Sequence, residues 1–226
     1  MSKGKFIVIE GSDGSGKKTQ TEILIKKLKE KGIKTSYFDF PQYESTFFGK
    51  MVARYLNGEF GEADEVSPYF ASLLYAGDRF ETKDKIKKDL ADGKIVISNR
   101  YTESNLGFQT AKIKDHLKKK NFIKWTRELE NKVLKIPEVD LVIYLYLPFL
   151  MAQTLIEKKE KRGYTELKRD IHEKNNDFLL RVENQYLSLS KSSKWRRIDC
   201  QDAGEILSIE EIAKKVEAVV KKEEIL

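Results

Sequence analysis

Gly11, Gly16 and Lys17 carry the first chemistry that the sequence offers. They stand in the stretch GSDGSGKKT with the spacing G-x-x-x-x-G-K. Glycines at those positions let backbone N–H groups turn inward around an anion. A helix N-terminus after the loop adds partial positive charge, and the lysine adds a full one. The residue after such a lysine usually carries a hydroxyl that reaches Mg²⁺. Here Lys18 stands there, and the hydroxyl comes one residue later, at Thr19. A lysine ammonium has no lone pair to give a metal, and one residue along a helix is a rotation of about 100°. The residues expected to hold a triphosphate are Gly11, Ser12, Gly14, Ser15, Gly16, Lys17, Lys18 and Thr19.

Two other stretches could do chemistry. In LLYAGDR, Tyr75 and Arg79 lie four apart and share a helix face, where a ring and a guanidinium could hold a flat base. In NRYTESNLGFQ, Arg100 follows an apolar run and could clamp a phosphate with two parallel hydrogen bonds. Taken singly, a packed tyrosine with an exposed arginine would explain the first better.

These residues need elements to position them. Phe6–Glu10, Thr35–Phe40, Ile95–Asn99, Leu141–Leu147 and Trp195–Asp199 read as strands, with 6–9 a β-branched and aromatic run and 95–98 and 141–147 continuously apolar. Helical composition fills Thr19–Lys31, Thr46–Asn57, Ser67–Ala91, Lys114–Lys135, Phe149–Lys159, Asp170–Ser190 and Ile209–Lys222. Strands alternating with helices predict a parallel sheet covered on both faces. Ligands of such sheets bind beyond the carboxyl ends of the strands. That rule selects GSDGSGKKT, FPQYEST and NRYTESN.

The 226 residues suffice for a sizeable core, and no apolar run reaches membrane-spanning length. MSKGKFIVIE carries no signal-peptide pattern, and the single cysteine, Cys200, has no partner for an internal disulfide. A cytoplasmic protein is therefore expected. The net charge of +7 favours anionic ligands, but acids interleave the lysines, as in KKLKEK, which argues for a solvated surface over a nucleic-acid groove.

Taken together, the blocks resemble the thymidylate kinase family. FIVIEGSDGSGKKTQ, FPQYESTFFGKMVARYLNGEFGE, LLYAGDRFE, NRYTESNLGFQ and DIHEKNNDFLLRVENQYLSLS follow in the family's order across nearly the whole chain. The resemblance implies an α/β, three-layer P-loop NTPase fold with a five-stranded parallel sheet and helices on both faces. It implies one domain over 1–226 with a lid near 157–168, and phosphorylation of dTMP to dTDP with ATP and Mg²⁺ by a homodimer. Asp13 would take the acceptor sugar's 3′-hydroxyl, and Lys17 would bridge the β- and γ-phosphates. Phe40, Pro41 and Tyr43 would wall the acceptor pocket, with a cis bond before Pro41. Tyr75 would stack on thymine, Arg79 would meet the base edge, and Arg100 would hold the acceptor phosphate. Asn105 and Gln109 would line the pocket, and Phe108 would crowd the sugar's C2′. The family's extra arginine would be Arg162, within 157–164, with Lys158 and Lys161 beside it.

The chain departs from the family pattern at Lys18, at Asn99, where an acid would precede Arg100, and at Tyr146. The first two departures remove oxygen ligands near the metal. The expectation is that Mg²⁺ arrives with ATP and has no direct protein ligand. A kinase for another nucleotide, a nucleotide-binding regulator without turnover and a nucleic-acid binder remain the alternatives.

Overall fold

The computed structural model describes residues 4–156, 171–172 and 175–223. Five strands, β1 (Phe6–Gly11), β2 (Thr35–Asp39), β3 (Ile95–Asn99), β4 (Leu141–Tyr146) and β5 (Trp195–Asp199), form one parallel sheet in the order β2-β3-β1-β4-β5. The central strand β1 is buried throughout, as its unbroken apolar run predicts. Successive side chains leave a strand on opposite faces, and β1 feeds two cores in this way. Phe6 and Val8 join Val96, Val142 and Tyr144 on one face, while Ile7 and Ile9 join Ile97, Ile143 and Leu145 on the other.

Helices cover both faces. α1 (Lys17–Glu30) and α8 (Ile209–Lys222) bring Leu24, Leu28, Ile212, Val216 and Val220 to the Ile7 face. α3 (Pro68–Ala91), α4 (Thr102–Ala111) and α7 (Asn176–Leu189) bring Ile86, Leu90, Phe108, Phe178 and Tyr186 to the Phe6 face. The three-layer α/β architecture is thus the one expected. α2 (Phe47–Leu56), capped by the Thr46 side chain, packs on α3 around a smaller cluster of Val52, Tyr55 and Leu74. The remaining described helices are α5 (His116–Arg127) and α6 (Phe149–Ile156), and a short hairpin, β6 (Gln201–Asp202) and β7 (Glu205–Ile206), follows the sheet.

Some local expectations need correction. Residues 102–111, where the sequence pattern marks no element, form α4. Thr102, Asn105 and Gln109 are polar yet buried, so the segment lacks the apolar stripe that marks a helix. The single helix expected over Lys114–Lys135 is α5 followed by a π-helical segment, Glu128–Val133, in which the Leu134 amide donates to the Leu129 carbonyl at 2.8 Å. The helix expected from Asp170 begins at Asn176, and a turn holds His172. The expected lid, with Lys158, Lys161 and Arg162, lies outside the described residues.

Candidate active site

The loop between β1 and α1 turns as a phosphate cradle must. Gly16, at the N-cap of α1, has φ 83°, and no side chain caps the first turn of the helix. Those backbone N–H groups are therefore available to an anion. A Cβ on Gly11 would stand 2.5 Å from Ser15 Oγ and 2.7 Å from the Leu145 carbonyl oxygen, so only glycine fits. Lys17 Nζ donates to the Ser12 carbonyl at 2.8 Å and lies 3.8 Å from Asp13 Oδ1. Lys18 and Thr19 are exposed.

Asp13 links this loop to Arg100. The Arg100 guanidinium donates to Asp13 Oδ1 at 2.8 Å and to Ser104 Oγ at 3.1 Å, and its carbon lies 5.1 Å from the centre of the Phe108 ring. Arg100 adopts φ 61°, a left-handed conformation that costs a non-glycine residue about 1–2 kcal/mol. Two bonds hold it there: its N–H donates to the Ile9 carbonyl at 3.0 Å, and Ser98 Oγ donates to its carbonyl at 2.6 Å. Burial opposes its charge, but Asp13, Tyr186 and Glu10 outweigh burial and raise its pKa. Glu10, fully buried beneath, accepts from the Tyr101 N–H, Ser104 Oγ and Tyr186 OH. The strain, the carboxylates and the stacked ring together present a fixed cation at the end of β3.

One cleft of about 790 Å³ joins these parts. Asp13, Gly14, Gly16, Lys17 and Lys18 line one end, and Phe40, Pro41, Tyr43, Tyr75, Asn105, Phe108 and Gln109 line the other, with Arg100 between. The Phe40–Pro41 bond is cis, as expected. α3 fixes the adjoining loop through Asp78, which accepts from the Gln42 N–H at 2.9 Å and from Thr46 Oγ1 at 2.6 Å. Asn105 Oδ1 and both amide atoms of Gln109 are buried without a hydrogen-bond partner. Buried polar atoms left unmatched are costly, so such a cluster lining a cleft marks a place for a polar ligand. Gly11, Ser12, Ser15 and Thr19 complete the loop without lining the cleft.

Arg79 departs from expectation. It is 2% exposed and does not line the cleft. Its Nε and Nη2 donate to the two oxygens of Glu130 at 2.8 and 2.6 Å, and Nη1 donates to the Tyr101 carbonyl at 3.3 Å. The helical spacing of Tyr75 and Arg79 was sound, but a buried carboxylate some fifty residues away claims the guanidinium.

The site also contains residues that the motifs did not flag. His172 lines the cleft, stacked on Phe108 with ring centroids 5.4 Å apart. Its Nε2 lies 3.0 Å from Tyr55 OH, and Lys112 Nζ donates to that same oxygen at 2.7 Å. Either partner can donate in the Tyr55–His172 contact, according to the His172 tautomer. Burial, then the Lys112 charge, lower the His172 pKa to about 3, and the ring is neutral. The available signal was that the chain has only two histidines, one of them in the DIHE block. Asp39 and Gln42 also line the cleft.

With a phosphate loop, an arginine clamp and an aromatic pocket in one cleft, comparison with known proteins becomes informative. The thymidylate kinase family model matches residues 9–215. This chain belongs to the thymidylate kinase family. It is 33% identical to a probable thymidylate kinase of Thermococcus onnurineus over 223 residues, 96% of this chain and 98% of that one. It is 30% identical to the thymidylate kinase of Arabidopsis thaliana over 218 residues, 96% of this chain and 71% of that one. The solved structure of thymidylate kinase from Candida albicans superposes with a TM-score of 0.72 at 25% identity, covering 100% of this chain and 95% of that one. The family reaction is phosphorylation of dTMP to dTDP, and the enzyme is a nucleoside monophosphate kinase.

Proposed function

We propose that the two ends of the cleft hold ATP and dTMP, with Arg100 at the junction. The observation that carries this reading is the contact between Arg100 and Asp13. Arg100 lies within one hydrogen bond, 2.8 Å, of the glycine loop, which supports reading the two as acceptor clamp and donor loop. An oxygen of the acceptor phosphate attacks the γ-phosphorus, the bond from that phosphorus to the β–γ bridging oxygen breaks, and ADP leaves with the electron pair. Such transfer asks the protein for alignment and positive charge rather than covalent help. Lys17 and the N–H groups of α1 receive the ATP phosphates. Arg100 holds the acceptor phosphate, Tyr75 stacks on the base, and Phe108 backs the sugar.

Magnesium fits these residues in a limited way. Asn99 Oδ1 is buried without a partner, and its Nδ2 holds the Asp39 carboxylate at the edge of the cleft. In place of the expected absence of a direct protein ligand, Asp39 and Asn99 Oδ1 are oxygens that the chain would offer a hard cation, with phosphate oxygens and water completing the shell. When bound, the metal supplies charge neutralisation on the phosphates. Among the described residues no group of three or more His, Cys, Asp or Glu side chains could hold a metal by itself.

The chain acts as one domain, as a homodimer in the cytoplasm. Support for the dimer is a stripe on α3, where Tyr69, Leu73 and Phe80 share one face and are 41%, 46% and 42% exposed. Support for a soluble protein is that no described helix is long and apolar enough to cross a membrane. ADP release measured with ATP and a panel of nucleoside monophosphates tests the reading. Release is expected with dTMP first, then dUMP, and poorly with dCMP; none with any acceptor would overturn it.

A further inference from the structure

The amide of Asn105 has a forced orientation. Its Nδ2 lies 3.1 Å from Glu130 Oε1 and 3.3 Å from the Ser72 carbonyl oxygen. Carboxylate and carbonyl oxygens accept here, so the nitrogen must face them and Oδ1 must face away. That oxygen is buried, has no protein partner, and belongs to a residue that lines the cleft. Gln109, one helical turn on, is different: neither of its amide atoms has a protein partner, so no hydrogen bond fixes which way it points. Of the two amides at the base end of the cleft, only Asn105 is locked.

Glu130 is the lock. It is fully buried, and donors converge on both of its oxygens: Arg79 Nη2 and Asn105 Nδ2 on Oε1, and Arg79 Nε and Thr102 Oγ1 on Oε2. With both oxygens engaged as acceptors, neither can offer a proton to Asn105. Glu130 reaches this place from the π-helical segment, whose widened turn carries it in toward α3 and α4.

We propose that Glu130 is a positioning residue for base selection. By holding the Asn105 nitrogen on its own carboxylate, it leaves Oδ1 as the amide atom free for a base, and the site then requires an N–H on the base edge. Thymine and uracil carry that N–H at N3, whereas cytosine presents a bare lone pair there. Gln109 can turn to serve either base and so does not discriminate. The proposal rests on the reading of this cleft as the dTMP site.

The test compares kcat/KM for dTMP, dCMP and N3-methyl-dTMP in the full chain. The unmodified enzyme should prefer dTMP over both by at least about a hundredfold, because a locked acceptor cannot adapt. In Glu130→Gln an amide NH₂ replaces one acceptor oxygen, Asn105 can turn, and the preference should narrow by about tenfold or more. That variant leaves Arg79 buried with a weakened partner, so Arg79→Met with Glu130→Met, which buries no charge, carries the same test. A folded variant that loses activity on all three substrates in parallel would make Glu130 merely structural and overturn the proposal. Equal use of dTMP and N3-methyl-dTMP by the unmodified enzyme would overturn it without any variant. Absence of dTMP turnover would overturn the underlying reading as well, and the two failures are thereby distinguishable.

Discussion

The Asn99 side-chain amide donates to Asp39 Oδ1 at 2.7 Å, across the paired ends of β3 and β2. The strand end that lacks an acid at position 99 therefore keeps a carboxylate nearby, borrowed from the next strand. Asn99→Asp would set two carboxylates against each other at that distance. Like charges so close disfavour ionisation unless a cation joins them. The expected outcome is a lower Mg²⁺ concentration for half-maximal rate, together with lower thermal stability in metal-free buffer that Mg²⁺ restores. Asp39→Asn should shift the Mg²⁺ requirement upward. If titrations of rate against Mg²⁺ coincide for both variants and the parent, neither residue belongs to the metal shell.

Arg100 separates backbone strain from side-chain chemistry. Arg100→Ala removes the clamp and keeps a Cβ at φ 61°, whereas Arg100→Gly removes the clamp and the strain together. Both should lower kcat/KM by about 10²-fold or more, as loss of a preorganised cationic donor does. In urea unfolding the glycine variant should be more stable than the alanine variant by about 1 kcal/mol. An alanine variant as stable as the glycine one would mean that the loop relaxes out of the left-handed region once the guanidinium is gone.

Phe108 meets both the Arg100 guanidinium and the His172 ring, at 5.1 and 5.4 Å. A ribose 2′-hydroxyl set against that ring would be buried without a partner, which mutational data price at about 1–3 kcal/mol. The parent enzyme should therefore use dUMP at least about tenfold better than UMP. Phe108→Ala should narrow that gap, and it should also lower turnover, because Arg100 loses the surface it stacks on. UMP used as well as dUMP by the parent enzyme would remove Phe108 from sugar selection.

The three inner strands were legible because they are buried on both faces. Ile95–Asn99 and Trp195–Asp199 have the bounds read from the sequence, and β1 needed only one residue more. The phosphate loop was legible because its glycines are required by φ angles that few other residues adopt. The polar interior was not. Asn105 and Gln109 were placed in the pocket by resemblance, yet the helix that carries them has no apolar periodicity to announce it. Glu130 was invisible for a different reason. It stands in RELENK, among charges that normally face water, and only the fold shows that Arg79, Thr102 and Asn105 converge on it. Local pattern reports backbone propensity and amphipathicity, whereas partners distant in sequence report only through the packed structure.

Glu103 yields the pH prediction. It sits in the first turn of α4, buried, with Oε2 lacking a partner. Burial first, and then the Glu10 charge, raise its pKa from an ordinary 4.5 to about 8. Between those values the folded protein holds a proton that the unfolded chain has released. Stability from this group is therefore fully present below about pH 4.5 and is lost as pH rises toward 8, with a slope of at most about 1.4 kcal/mol per pH unit. Glu103→Gln keeps the shape, stays neutral and removes the slope. Urea unfolding of both proteins at intervals from pH 5 to pH 9 should show the variant gaining on the parent up to about pH 8 and holding a constant lead beyond. Parallel stability curves across that range would mean that Glu103 is ionised in the folded protein, with water or a neighbouring donor satisfying the oxygen that now stands alone.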